Sequence, residues 1–314
     1  MTLGNGYHMN GFLNVNKPTG RTSSDVVVFV RKRLPRGTAV GHGGTLDPEA
    51  SGVLPVCVGS ATRLFDYIID KRKVYVARLK LGVETDTQDA TGRVVATRPV
   101  TAGEDEVRAA LPGFVGDIEQ IPPMYSALKR DGQRLYKLAR KGEVVALEPR
   151  RCRVDGIDYL GREGGDVHLL RVRCGKGVYI RTLCHDIGRA LGCGGHMLML
   201  ERTAAGVFHI EDALTLERID ALAQAGALEG ALLPLDAPLG HLPAVRVGER
   251  CRHAVVNGNP LKAQWLDAPA PQSDAVRVYL NDEFAGIGQP MEDGGIRFRA
   301  MLYRPNTVHS EEHA

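Results

Sequence analysis

Apolar residues fall near every second position through Val74-Tyr75-Val76-Ala77-Arg78-Leu79-Lys80-Leu81 and again through Val167-His168-Leu169-Leu170-Arg171-Val172-Arg173-Cys174. That period predicts half-buried β-strands, with Tyr75 near the start of the first. A helical pattern covers Asp25 to Leu34, with acid in its first turn, Arg31-Lys32-Arg33 in its last, Thr22 or Ser23 as cap and Pro35 as stop. Leu183 onward reads as a helix, broken at Gly192-Cys193-Gly194-Gly195 and followed by an apolar stretch to Leu200. Ile210 to Leu235 reads as helical elements, and Pro234 to Pro243 as a linker. After the linker come short strands at Ala275–Leu280, Glu283–Gly288 and Ile296–Leu302, joined by turns at Asn281-Asp282 and Asp293-Gly294-Gly295. Short strands at that spacing predict a small β-barrel.

Composition narrows the class. With 314 residues, 43% of them apolar, the chain accommodates a catalytic domain and a small appendage. Six cysteines fall singly, with no C-x-x-C pair and no signal peptide, which indicates neither a zinc site nor a disulfide framework and a cytoplasmic setting. No stretch reaches the roughly eighteen apolar residues of a membrane span. Residues 1–9 lack periodicity and are expected to be a disordered tip, with 308–314 as a tail. The net charge of +3 is modest, but its distribution is uneven. Between Leu128 and Arg153 nine basic residues (Lys129, Arg130, Arg134, Lys137, Arg140, Lys141, Arg150, Arg151, Arg153) face three acidic ones. Arg134, Lys137 and Lys141 are expected on one face of a short helix whose other side carries Leu135 and Leu138. Without context such a run is a solvated face.

The candidate chemistry lies in Gly41-His42-Gly43-Gly44-Thr45-Leu46-Asp47-Pro48-Glu49-Ala50-Ser51-Gly52, where one carboxylate is isolated among glycines and a proline. Pro48 biases Asp47 towards an extended conformation, and the glycines permit a tight turn, so the loop can approach a ligand closely. Taken alone, an Asp-Pro pair is most simply an Asx-type turn. A second dense segment, Gly175-Lys176-Gly177-Val178-Tyr179-Ile180-Arg181-Thr182, continues the predicted strand and is expected to point Tyr179 and Arg181 to the same side. Asp86 and Asp89 lack the ligand alternation of a calcium loop and read as turn residues. His196 reads as a structural histidine, and His185 beside Asp186 cannot face it on a helix. The chain has no Walker loop, dinucleotide fingerprint or metal cluster, so neither cofactor nor metal is expected.

Six motifs in order then carry a resemblance: Gly11 to Ser24, the Asp47 block, Lys73-Val74-Tyr75 with Gly82 to Gly92, Gln120 to Lys129, Tyr179 to Thr182, and Gly192 to Thr203. Together they make the chain similar to tRNA pseudouridine synthases of the bacterial TruB type. The resemblance implies an α+β fold. Its catalytic domain, at 10–240, has a mixed, largely antiparallel sheet flanked by helices, with a basic RNA-binding insertion at about 124–153. A PUA-like RNA-binding barrel follows at 243–307. It implies cofactor-free conversion of uridine 55 of the TΨC loop to pseudouridine by a monomer acting on the tRNA T-stem-loop without guide RNA or membrane. Asp47 would act as nucleophile on the ribose or base, or as the base that starts glycal formation. Arg181 would pair with Asp47 and keep it ionised through a lowered pKa. The target must be flipped out. By the same resemblance His42 takes part in that exchange, Tyr75 and Tyr179 contact the flipped nucleotide, and Leu200 supplies an apolar wall. Lys17 supports the active-site loop and is counted, with the basic residues Lys129, Arg130, Arg134, Lys137, Arg140, Lys141, Arg150 and Arg151, among the RNA contacts.

Two rival classes and one related possibility compete with this. An RNA-folding chaperone would need the basic segment and the barrel but not Asp47 with Arg181. A glycosidase-like hydrolase would need a second carboxylate, and only Glu49 lies near in sequence. A guide-RNA-dependent synthase shares the Asp motif, but the long basic insertion and small C-terminal module favour the stand-alone type.

Overall fold

A computed structural model describes residues 9–68, 72–123 and 147–303, with the backbone of 129–130 and 133–134. The chain begins with β1 (Gly11–Lys17), α1 (Ser23–Arg31), β2 (Val40–His42), β3 (Ser51–Val58) and α2 (Phe65–Ile68). β4 (Lys73–Leu81), β5 (Val83–Thr85), β6 (Val94–Thr97), α3 (Glu104–Ala110) and β7 (Gly116–Gln120) follow. Two-residue strands β8 (Lys129–Arg130) and β9 (Gln133–Arg134) pair with each other. Then come β10 (Arg150–Gly164), β11 (Val167–Cys174), α4 (Ile180–Ala190), β12 (Gly195–Ala205), β13 (Phe208–His209) and α5 (Leu216–Gln224). The C-terminal part holds β14 (Ala244–Val247), α6 (Arg252–Val256), β15 (Val276–Leu280), β16 (Glu283–Pro290) and β17 (Ile296–Met301).

Nine strands share one sheet in the order β1-β3-β12-β4-β11-β10-β7, with β2 on β3 and β13 on β12. Every pairing in it is antiparallel except β3 with β12, as expected of a mixed, largely antiparallel sheet. The period-two pattern explains the faces. Tyr75, Ala77, Leu79 and Leu81 of β4 and Leu170, Val172 and Cys174 of β11 point into a core capped by Ile180, Leu183 and Ile187 of α4 and by Val107 of α3. On the β1–β3 side both faces are covered. Leu13, Val15, Leu54 and Val56 pack on α1 and α5, while Phe12, Val53 and Cys57 share a cluster with Ala275, Ile287 and Leu302 of the C-terminal part.

Thr22 caps α1 in a reciprocal capping box with Asp25, as the sequence predicted. Three readings change. The strand ends at Cys174, so Tyr179 becomes the N-cap and Arg181 lies in the first turn of α4; residues two apart there splay around a helix and do not share a side. The apolar stretch after the glycine break is β12, an inner strand of the sheet. The expected barrel is a four-stranded sheet in the order β14-β15-β16-β17, and among the described residues no pairing closes β17 onto β14. Leu239 in the expected linker is fully buried, and Tyr279 Oη donates to Asp236 at 2.8 Å, so that segment is folded onto the C-terminal sheet. Among the described residues no helix is long and apolar enough to cross a membrane. Arg134, expected on a helix, lies in β9; the rest of that expected helix, residues 1–8 of the tip and the tail lie outside the described residues, whereas Met9 packs against the α1 core.

Candidate active site

The loop between β2 and β3 carries Asp47 and is anchored at many points. Gly43 N–H donates to Pro55 O (2.7 Å), and Leu46 and Ser23 exchange two bonds, N to Oγ at 2.9 Å and Oγ to O at 3.1 Å. Gly44 sits at φ +126°, a region L side chains rarely adopt, so glycine there is a backbone requirement. The Asp47 carboxylate does not complete an Asx turn with its own backbone. It forms an ion pair with Arg181 Nε at 3.1 Å.

Arg181 is 5% exposed, and its guanidinium lies between two carboxylates: Asp47 on Nε and Asp89 on Nη1, at 3.3 Å. Nη1 also donates to Thr87 O at 3.5 Å. Asp89 is itself fixed by Thr87 Oγ1 (2.7 Å), Thr91 N–H (3.0 Å) and Thr91 Oγ1 (2.6 Å), and Gln88 between them adopts φ +63°. A left-handed non-glycine residue is uncommon and here turns both Thr87 O and Asp89 towards the arginine. Asp89, read from the sequence as a turn residue, is therefore part of the ion pair; its place 92 residues before Arg181 left no local signal.

Burial outweighs Arg181 at Asp47: the protein crowding this carboxyl raises its pKa above the usual carboxylate range, Asp89 adds to the rise, and Arg181 only moderates it. This reverses the expected lowering. The side chain keeps 41% of its surface exposed, so water still reaches it.

Tyr75 lies 8% exposed beside this pair, and burial raises its phenol pKa while the nearby Arg202 charge opposes that rise. His42 ends β2 with a buried, unpartnered Nδ1, and burial lowers its pKa. Tyr179 is tied down by Gln120, whose amide accepts from Tyr179 N–H (2.9 Å) and donates to Tyr179 O (3.2 Å). Leu200 is half-buried against the same core. The structure thus gathers Asp47, Arg181 and Tyr75, and adds Asp89, Gln120 and Arg202, which sequence reasoning missed.

Residues 32–180 match the model of the TruB family pseudouridylate synthase N-terminal domain, and residues 181–240 that of the tRNA pseudouridylate synthase B C-terminal domain. The tRNA pseudouridine synthase B of Alkaliphilus oremlandii (strain OhILAs) is 45% identical over 282 residues, 89% of this chain and 93% of that protein. The chain belongs to the TruB family. The tRNA pseudouridine synthase B of Stutzerimonas stutzeri (strain A1501) is 44% identical over 298 residues, covering 94% of this chain and 96% of its own. Among solved structures, a chain of a Cbf5–Nop10–Gar1 complex superposes with a TM-score of 0.71 at 30% identity, covering 94% of this chain and 84% of that one. The likeness to both the relatives and this structure therefore extends past residue 240, where the second family model stops.

Lys17 departs from its expected place among the RNA contacts of this TruB chain. It is fully buried, and its Nζ donates to Pro18 O (2.8 Å), Arg21 O (2.7 Å) and Pro48 O (3.0 Å), the last immediately after Asp47. A side chain with no open surface cannot touch RNA. Burial pushes its pKa from 10.5 down to about 8, against the pull of Glu49 and Asp47. The folded state therefore binds fewer protons than the unfolded chain across that window, and the stability this group contributes rises from about pH 8 to 10.5 and is lost as pH falls through about 8. Denaturant titrations at both pH values are expected to show a steeper rise for the unaltered protein than for Lys17→Met, by at most roughly 3 kcal/mol. Equal slopes would show that the buried charge costs nothing.

Of the basic segment, Arg151 and Arg153 on β10 lie opposite acidic residues of β7, with Glu119 at 3.6 Å and Asp117 at 3.3 Å. Part of the expected positive excess is thus offset across the strand pair. Arg150 is exposed next to them. For Lys129, Arg130 and Arg134 only the backbone is described, and Lys137, Arg140 and Lys141 lie outside the described residues.

Proposed function

We propose that this chain is a stand-alone tRNA pseudouridine synthase acting on uridine 55 of the T-loop, with Asp47 as nucleophile. The observation that carries this is the buried Arg181 held between Asp47 and Asp89 beside Tyr75, in a chain of the TruB family. The relatives bear the name tRNA pseudouridine synthase B over nearly their whole length, which supports tRNA as the substrate class.

The reaction breaks N1–C1′, turns the uracil and joins C5 to C1′; the C5 proton is lost and N1 gains one, so no redox partner or nucleotide is consumed. Asp47 presents its open edge to the cleft while Arg181 Nε holds the other oxygen, which orients the carboxylate towards an incoming nucleotide. Tyr75 offers a flat ring from the sheet floor, and Leu200 an apolar wall, for a uridine taken out of its stack at a cost of a few kcal/mol. His42, with a free buried nitrogen at the loop entrance, and Tyr179, fixed by Gln120, flank that position. We assign backbone phosphate contacts to the basic segment about 124–153 and further RNA contacts to the C-terminal sheet, the place where the resemblance puts a PUA-like module.

The test uses the protein alone, with no added RNA other than a tRNA transcript labelled with tritium at uridine C5. Tritium release with one modified position, uridine 55, is expected. No release despite tight binding would shift the reading to an RNA-folding chaperone, and modification elsewhere would overturn the assigned target.

A further inference from the structure

Among the described residues Arg202 is the largest fully buried side chain, 1% exposed, and no carboxylate lies within salt-bridge distance of it. A buried charge without a counter-ion is expensive, and its donors need fixed acceptors. Here the acceptors are backbone carbonyls on the two limbs of the Asp47 loop. Nε donates to Val53 O at 2.7 Å and Nη2 donates to Gly44 O at 3.2 Å. Gly44 stands three residues before Asp47 and Val53 six after it, so one side chain closes both limbs of the catalytic loop.

The topology places it there. β12 runs between β3 and β4, and Arg202 is in register with Gly52 on one side and Tyr75 on the other. At Gly52 (φ +99°) a Cβ would stand 2.3 Å from Arg202 O and 2.9 Å from its N, so only glycine lets the two backbones approach this closely.

We propose that Arg202 is a positioning residue that binds the two limbs of the Asp47 loop to β12 as one rigid unit, acting through the loop and never touching substrate. The inference rests on the pseudouridine synthase reading for its catalytic consequence, but the stapling of the loop is measurable without it. A lysine supplies a point charge with no planar fork and cannot span Val53 O and Gly44 O at once.

The experiment compares the unaltered protein with Arg202→Lys and Arg202→Met; Arg202→Lys keeps the charge and so protects against simple unfolding, which thermal melts check. In Arg202→Lys, amide exchange at residues 43–50 is expected to speed up while α4 and β11 stay protected. The single-turnover rate on saturating tRNA is expected to fall by about a hundredfold, with tRNA affinity within about twofold. Arg202→Met is expected to loosen the same residues further. Unchanged exchange at 43–50 overturns the proposal, as does a loss of tRNA affinity with no loss of single-turnover rate. If the unaltered protein releases no tritium the synthase reading fails, and the exchange result alone still decides whether Arg202 staples the loop.

Discussion

Asp47→Asn is expected to lower the single-turnover rate of pseudouridine formation by roughly ten-thousandfold, with tRNA binding unchanged. The amide has the shape of the carboxylate and keeps its place on the anchored loop, but it is no nucleophile and carries no charge for Arg181 to hold. Asp89 remains on Nη1 at 3.3 Å, so the arginine is not stranded and the fold survives the change. Tritium release, filter binding and thermal melts together check this. Retention of more than about a hundredth of the rate would remove Asp47 from the chemistry. In the unaltered protein burial raises the pKa of Asp47, so the acidic limb of the pH–rate profile is expected above the usual carboxylate range and is absent from any residual activity of the Asn variant.

Arg181→Met is expected to cost about a hundred- to a thousandfold in rate, and the reason is electrostatic. Two carboxylates would then converge with no cation between them. Arg181 is the strongest influence lowering the pKa of Asp47, while burial and Asp89 raise it, so removing the arginine moves the titration further up and leaves less carboxylate ionised at neutral pH. The acidic limb of the profile should therefore shift to higher pH in Arg181→Met. Arg181→Lys should lie between, because a single ammonium cannot keep both the 3.1 Å contact to Asp47 and the 3.3 Å contact to Asp89. Breaking a buried pair also destabilises the fold, by about 3–5 kcal/mol, so rates belong at a temperature well below the measured midpoint. A profile unchanged in position would overturn this account of Arg181.

The local signals in the chain were legible where the physics is local. The Thr22–Asp25 capping box, the alternation of β4 and β11 and the turn residues between β15, β16 and β17 each depend on neighbours a few positions away. The glycine-bounded Asp47 loop was conspicuous for the same reason. Asp89 was misread because an Asp followed by Ala-Thr-Gly does make a turn, and its second oxygen finds Arg181 only across the fold. Lys17 supports the active-site loop as the resemblance implies, through Pro48 O, but its burial rules out the RNA contact; nothing in Asn-Lys-Pro-Thr-Gly announces three converging carbonyls.

Fold class, family and the identity of Asp47 and Arg181 as candidates were determined by the sequence itself, because periodicity, caps, glycines and ordered motifs are properties of the chain read in one dimension. Tertiary structure alone decided that Asp47 is pushed up in pKa and not down, that Asp89 completes the ion pair, and that Lys17 and Arg202 are sealed beneath the loop. Each of these depends on desolvation and on partners brought within 4 Å from distant strands, quantities that exist only once β3, β12 and β4 lie side by side.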